Sequence, residues 1–366
     1  MLSMIKSWMD RYLSDPQMVV LAAMLVTGLL SVLFLGEMLM PVFASVIIAY
    51  LLDGLVTRMQ RLKIPRLACV IIVFLFFLSA MIVMVVWLLP QISKQIFQLV
   101  QQLPAMLSAW QKQLMRLPQQ YPEFISEAQV AEIFQMGNTA ASTIAKRVVS
   151  YSVASVYTLV TLLVYLVLVP FLVFFFLKDK EFILNWMLRF RPSDMALTTT
   201  VWHDVNRQIS NYVRGKGWEI LIIWGISFAV FRALHLNYSL LLSLFTGLSV
   251  IFPYIGVTVM FFPVGLIAFF QWGMEPKALW AVAAYGVIQI FDGQILAPLL
   301  LSEVVNLHPV AIIIAVLFFG GIWGVWGLFF AIPLATLVNV LLGIWLDKYE
   351  RPGKGEPPPE SRPENL

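Results

Sequence analysis

The sequence predicts an all-α fold, a polytopic membrane helical bundle of about eight spans with broken or re-entrant helices in its C-terminal half. Three observations carry this. Of 366 residues, 60% are hydrophobic and only 12% charged, and the mean hydropathy of +0.86 lies far above that of a water-soluble domain. The apolar residues fall into long stretches that approach the roughly 20 helical residues needed to cross a hydrocarbon core of about 30 Å. The basic residues, finally, collect in the connections between those stretches.

The apolar stretches are 18–35, 38–52, 67–89, 153–177, 220–234, 240–270, 278–301 and 310–346. Gly36 and Glu37 form a tight break between the first two. The next connection carries Arg58, Arg61, Lys63 and Arg66, a cytoplasmic signature that places the amino terminus inside. Residues 90–152 then form an external segment. Its Ile92, Ile96, Leu99, Leu103, Met106, Leu107, Trp110 and Leu114 recur at spacings of three and four, which predicts amphipathic helices. Pro104, Pro118 and Pro122 are expected to divide them into two or three short pieces.

Residues 178–217 return inside with Lys178, Lys180, Arg189, Arg191, Arg207, Arg214 and Lys216. This arm is expected to hold two helices, 179–189 and 194–212, split at Arg191-Pro192 and capped by Ser193 or Asp194. The stretches 240–270 and 310–346 exceed one straight span and contain prolines or clustered glycines, so broken helices or hairpins are predicted there. Such backbone is tolerated at membrane depth only inside protein or beside a wet cavity. Gly320, Gly321, Gly324 and Gly327 read as small residues that let helices approach closely. Glu37, Glu219 and Arg232 lie near predicted span ends and read as interfacial anchors.

The domain reading is therefore a cytoplasmic lead-in at 1–17 without a cleavage site, a membrane domain at 18–346, and a tail at 347–366 whose Gly-Lys-Gly-Glu-Pro-Pro-Pro-Glu run has nothing to pack with and is expected to be disordered. Both termini are expected in the cytoplasm. Cys69 is the only cysteine, which excludes a disulfide framework within the chain. The net charge of +4 is spread over short loops and is accounted for by the positive-inside bias, so no nucleic-acid partner is expected. No phosphate loop, H-E-x-x-H or G-x-S-x-G motif is present, and no enzyme activity, metal or cofactor is predicted.

Asp292 is the sharpest candidate, a carboxylate in mid-stretch flanked by Gln289, Gly293, Gln294 and Pro298. An ionisable group there is costly and reads as functional by default, while Gly293 and Pro298 weaken the helix and leave carbonyls that a cation or polar solute could use. The competing reading is structural, with Asp292 accepting from backbone amides or pairing with an arginine. Pro253, Tyr254 and Gly256 interrupt another stretch and read as a lining or hinge. His308, before Pro309 at a helix start, is a candidate proton sensor or a plain surface histidine.

Phe176-Leu-Lys-Asp-Lys-Glu181, Tyr212-Val-Arg-Gly-Lys216, Phe252-Pro-Tyr-Ile-Gly256, Asp292-Gly-Gln-Ile-Leu-Ala-Pro298, Asn306-Leu-His-Pro309 and Ala331-Ile-Pro-Leu-Ala335, in that order, resemble the autoinducer-2 exporter (AI-2E) family. The resemblance covers nearly all of residues 1–346 and implies a bacterial inner-membrane protein of about eight spans. It implies movement of a small solute, with autoinducer-2 export in some members and sodium/proton antiport in others, and a homo-oligomer, with a pentamer one form it suggests. Gly293 stands here where Asn is frequent in the family.

Three readings follow. The first is a permease or exporter of a small polar solute, gradient-driven or passive, its path beside the two helix breaks. The second makes the cargo a monovalent cation, as in a Na+(Li+)/H+ antiporter. The third is a non-transporting membrane scaffold or regulator.

Overall fold

A computed structural model describes residues 16–115, 131–132, 134–137, 139, 142–143, 146, 156–188, 196–253, 255–301 and 308–350. The chain divides into two compact units, residues 1–191 with 213–301 and residues 192–212 with 302–366. Among the described residues every regular element is helical.

The first unit opens with α1, Pro16–Gln60. The break expected at Gly36-Glu37 is not there: the helix runs through both and through Pro41. Forty-five residues at 1.5 Å each give a rod of about 68 Å, so Pro16 and Gln60 lie at its opposite ends. Ser45 Oγ donates to the Pro41 carbonyl at 2.6 Å and to the Val169 carbonyl at 3.3 Å, tying α1 to α4. The helix stops at Lys63, whose positive φ of 64° closes the terminus as a left-handed cap.

Helix α2, Arg66–Val83, starts after the extended Pro65 and continues through a π-helical turn, Met84–Leu88, into α3, Leu89–Leu114. Pro104 does not break α3 as expected. Tertiary packing holds the helix across it, with Met106 buried and Trp110 edge-on to Phe269 at 6.0 Å. Pro118 and Pro122 lie outside the described residues. Helix α4, Val156–Lys178, completes a three-helix core with α1 and α2, in which Leu52, Val56, Cys69, Val70, Val73, Val173 and Leu177 are buried together. At Asp179 the chain turns by 78° into α5, Lys180–Leu188.

Helix α6, Ala196–Ala233, is continuous. The sequence places a helix end at Tyr212 and a span start at Ile220, yet Gly215 and Gly217 do not interrupt the ladder. Each lacks a side chain where a neighbour presses close: the Leu300 carbonyl would lie 2.7 Å from a Cβ at Gly215, and the Leu51 side chain fills the space beside Gly217. The expected caps Ser193 and Asp194 fall outside the described residues.

Four short or medium helices follow: α7, Ser239–Ser249; α8, Ile255–Trp272; α9, Pro276–Phe291; and, beyond a second π-helical turn at Asp292–Leu296, α10, Ala297–Leu301. The 240–270 stretch is broken as predicted. Phe252 and Gly256 close a tight turn through Phe252 N–H to Ser249 O at 3.0 Å and Gly256 N–H to Phe252 O at 2.9 Å, and only a glycine at 256 leaves room for the Ser249 carbonyl. Ile223, Phe231, Leu241, Val264, Ile267, Ala281 and Tyr285 form the second core of this unit, onto which α3 packs.

The second unit holds the start of α6 and α11, Pro309–Glu350. Helix α11 breaks at Gly324, whose φ of 58° and ψ of −130° are open to glycine. In a straight helix residues eight apart are separated by about 12 Å, yet Gly327 abuts the Phe319 carbonyl and Gly320 faces Leu328, so the chain doubles back here. Tyr212 is buried; its hydroxyl donates to the Phe329 carbonyl at 3.1 Å. The helix runs to Glu350, beyond the expected tail boundary; residues 1–15 and 351–366 lie outside the described residues.

Eight apolar stretches thus become four helices long and apolar enough to cross a membrane, Met38–Gln60, Arg66–Gln111, Ile255–Trp272 and Pro276–Leu301, or five counting the bent α4–α5 pair, among the described residues. The difference has identifiable causes. Residues 18–35 and 38–52 share one helix, 220–234 joins a helix carrying Arg214, Lys216 and Glu219, and breaks after Ser249 and at Gly324 leave shorter pieces.

Candidate functional site

The site lies in the first unit, where α6, α7 and α9 turn their buried faces inward. On α6 the buried positions Lys216, Glu219, Ile223, Ser227 and Phe231 recur at three and four, one face of a helix. On α9 the buried face is Ala278, Ala281, Tyr285 and Ile288, and Asp292 continues it one turn further. The two helices run antiparallel, since Gly215 meets Leu300 at one end and Val230 and Leu234 share a cavity wall with Trp280 and Ala284 at the other.

Asp292 is 7% exposed and its Oδ1 has no hydrogen-bond partner. Glu219 and Lys216 lie within electrostatic reach of it. Those two form a buried ion pair, Lys216 Nζ donating to both Glu219 carboxylate oxygens at 2.8 and 2.9 Å. Glu219 is therefore no interfacial anchor: it is 1% exposed, inside a helix that continues on both sides. Arg232, in contrast, is exposed, and the side chain of Glu37 is outside the described residues.

The π-helical turn shapes the carboxylate's surroundings. Ala297 N–H reaches back five residues to the Asp292 carbonyl, and Pro298, two residues past the turn, has no N–H to give. The Gly293 carbonyl thereby loses its ordinary partner within the helix. The same device precedes Pro90, where Leu89 N–H bonds to the Met84 carbonyl. In both, widening the turn relieves the clash of the proline ring with the carbonyl four residues back.

Other polar atoms are buried without partners around this face: Trp224 Nε1 and Ser227 Oγ on α6, Thr246 Oγ1 on α7, and both amide atoms of Gln289 on α9. Helix α7 reaches α6 closely enough that a Cβ at Gly247 would stand 2.9 Å from the Ile220 carbonyl and 2.8 Å from Trp224 Cβ. Along α7, Ser239, Ser243, Thr246 and Ser249 are all buried at helical spacing. Ser243 and Ser249 donate to carbonyls three residues back, which leaves their oxygens as acceptors.

The predicted residues divide. Asp292 and Gln289 face inward, whereas Gly293, Gln294 and Pro298 lie exposed on the outer side of the same helix. Pro253 and Gly256 form the α7–α8 turn; Tyr254 lies outside the described residues. That turn is linked to the Asp292 face by Tyr285, whose hydroxyl donates to the Val257 carbonyl at 2.7 Å. His308 sits in the second unit, exposed, its Nδ1 accepting from Val310 N–H at 3.3 Å at the start of α11. The sequence reading missed Lys216, Trp224, Ser227 and Thr246; the four hydroxyls spaced by three and four on α7 were the available signal. Among the described residues, no group of three or more His, Cys, Asp or Glu is placed to hold a metal ion.

The pattern of AI-2E family transporters matches residues 22–347. The chain belongs to the AI-2E transporter family. This AI-2E family member is 39% identical over 347 residues, 95% of this chain and 98% of the relative, to the "Putative permease PerM" of Escherichia coli strain K12. It is 22% identical over 84% of both chains to the "Putative transport protein YueF" of Bacillus subtilis strain 168. To the "AI-2 transport protein TqsA" of Escherichia coli strain K12 it is 24% identical over 90% of this chain and 92% of that one. The family is one of multi-pass membrane transport proteins, not enzymes, and these relatives are bacterial. A bilayer and a small solute are the partners such a protein requires.

Proposed function

We propose that the chain is a permease or exporter of a small polar solute, gradient-driven or passive, whose path follows the buried polar face of α6, α7 and α9. One observation carries this: Trp224, Ser227, Thr246, Gln289 and Asp292 hold hydrogen-bonding atoms inside the protein without partners. A buried polar group left unpaired costs on the order of 1–3 kcal/mol, and five such residues along three neighbouring helices are best explained by a transient polar occupant or its water. An autoinducer-2-like solute is one cargo of this kind, as the name of the TqsA relative suggests. The Asp53–Lys180 and Arg66–Glu181 pairs gather the 58–66 and 178–181 connections on one face, which supports a common cytoplasmic side for both.

The test is solute flux in reconstituted vesicles with wild type and Asp292→Asn. Folded mutant protein with at least tenfold slower flux supports the path; unaltered flux across the candidate solutes removes Asp292 from it.

A second reading, Na+(Li+)/H+ antiport, is favoured by the carboxylate itself, since one acid that binds either a proton or a cation suffices for exchange. Sodium-induced alkalinisation or acidification in everted vesicles, absent in Asp292→Asn, would select it.

A further inference from the structure

At the Lys216 end of the buried polar face, α6 is squeezed between two neighbours. Gly215 and Gly217, about 200° apart around the helix, turn to opposite sides of it. On one side α10 closes in, where the Leu300 carbonyl and the Leu301 side chain would each stand 2.7 Å from a Cβ at Gly215. On the other, the Leu51 side chain of α1 fills the space beside Gly217. Arg214, two residues before Lys216, fastens α1 there: Nη2 meets Asp53 Oδ2 at 3.2 Å and Nε donates to the Tyr50 carbonyl at 3.2 Å. The same Asp53 oxygen takes Lys180 Nζ of α5 at 2.8 Å.

Two ion pairs thus follow one another along α6, and they differ in kind. The Lys216 and Glu219 side chains are 5% and 2% exposed, so parting them strands charge in a dry interior. The Arg214 and Lys180 side chains are each 34% exposed, so water meets either cation as it leaves. Asp53 also has a cation to spare. When Arg214 swings away, Lys180 still neutralises the acid, and no buried carboxylate is left alone.

We infer that the Arg214–Asp53 bond is the latch of a gate at this end of the polar face. Parting it frees α1 from the side-chain-free backbone of α6 at Gly217 and opens the unpartnered polar groups beyond Lys216 to water and solute. Lys180 keeps Asp53 paired while the gate stands open. The inference rests on the reading of the α6–α7–α9 face as a solute path, but its test needs no cargo. With the latch overturned, slower flux in Asp292→Asn would still uphold the path.

The experiment follows alkylation of Thr246→Cys by iodoacetamide in the full chain held in nanodiscs. Thr246 is buried on α7 with its hydroxyl unpartnered, and its neighbour Gly247 abuts the Ile220 carbonyl, one turn past Lys216. Native Cys69, buried in the core of α1, α2 and α4, reports general loosening in the same sample by peptide mass spectrometry. Arg214→Gln is expected to speed alkylation of Thr246→Cys at least tenfold. Lys180→Gln is expected to leave the rate unchanged, because Arg214 stays paired, and Cys69 to stay slow throughout. No acceleration in Arg214→Gln, an equal acceleration in Lys180→Gln, or a parallel rise at Cys69 overturns the latch. Should Arg214→Gln not fold, Asp53→Asn breaks the same bond from α1 and is read by the same outcomes.

Discussion

Arg214 Nη2 lies 3.2 Å from Asp53 Oδ2, joining residues 161 apart in sequence, and the same carboxylate oxygen takes Lys180 Nζ at 2.8 Å. Asp53 thus sits at the junction of three elements: α1 supplies the acid, the first residue of α5 one cation and α6 the other. Arg214 Nε also donates to the Tyr50 carbonyl at 3.2 Å, with Gly54 leaving space for the guanidinium. The three-helix core of α1, α2 and α4 is fastened in this way to the helix that carries Lys216 and Glu219.

Replacing Asp53 by Asn leaves two cations facing a neutral amide in a largely dry place. The expected loss is about 2 kcal/mol, below the 3–5 kcal/mol of a fully buried pair because both cations remain a third exposed. Arg214→Lys keeps the charge but not the carbonyl contact and should fall between. Thermal unfolding in detergent measures both; an unchanged midpoint for Asp53→Asn would remove the junction from the stability of the fold.

Gln95 predicts a different kind of dependence. Helix α7 begins after Tyr238, which lies in the left-handed region at φ 57° and provides no side-chain cap. Gln95 of α3 provides one from outside, its Oε1 accepting from Leu241 N–H at 2.9 Å, while Gln102 Oε1 accepts from the Tyr238 hydroxyl at 2.7 Å. Gln95→Leu strands that amide and should cost about 1 kcal/mol, with faster hydrogen exchange confined to the first turn of α7. Gln98→Ala, on the exposed side of α3, should stay within about 0.5 kcal/mol. Equal protection in all three proteins would contradict the capping role.

Two glycines should respond oppositely to the same substitution. A methyl at Gly256 collides with the Ser249 backbone, whereas one at Gly286 meets nothing within 4 Å. Gly256→Ala must open the α7–α8 turn, at a cost of about 1–3 kcal/mol or more; Gly286→Ala, in a helix interior, should be neutral or mildly stabilising. Yields of monodisperse protein and melting midpoints separate the two, and a tolerated Gly256→Ala would show that the turn is looser than its backbone geometry requires.

The helical class and the sharpest polar position were legible because they are local properties. An apolar stretch reports its own length, and Asp292 stands out against its neighbours without any knowledge of what surrounds it. The breaks at Pro253–Gly256 and Gly324 were legible for the same reason, since proline and glycine act on their own turn of backbone. What failed depended on partners. Pro104 reads as an interruption and Tyr212 as a helix end, yet burial of Met106 and the approach of Leu300 to Gly215 accompany helices that run on through both positions. Glu219 reads as an interfacial anchor because it lies near a predicted span end, and no local property shows that Lys216, three residues earlier, is buried with it as an ion pair. That Gln289 and Gln294, five residues apart, face different ways follows from helical periodicity alone; which of the two faces inward depends on the packing of α9 against its neighbours and is not a local property. A proline two residues past a π-helical turn, found at both Pro90 and Pro298, is a signal that could have been read.

The Lys216–Glu219 pair distinguishes a polar face that works from one that merely survives. Glu219→Gln leaves a buried ammonium without its counter-charge and should destabilise the protein by about 3 kcal/mol, giving little folded material and hence no information on transport. Lys216→Met/Glu219→Leu removes both charges together, and a matched apolar pair of similar volume is expected to be close to neutral for folding. If the face of α6, α7 and α9 is the path, this folded double variant should carry solute at least tenfold more slowly, because Asp292 loses the charges within reach of it and the path loses two polar side chains. Wild-type flux from a stable double variant would instead make the ion pair a packing feature of α6, and the path would have to be sought along the hydroxyls of α7 alone.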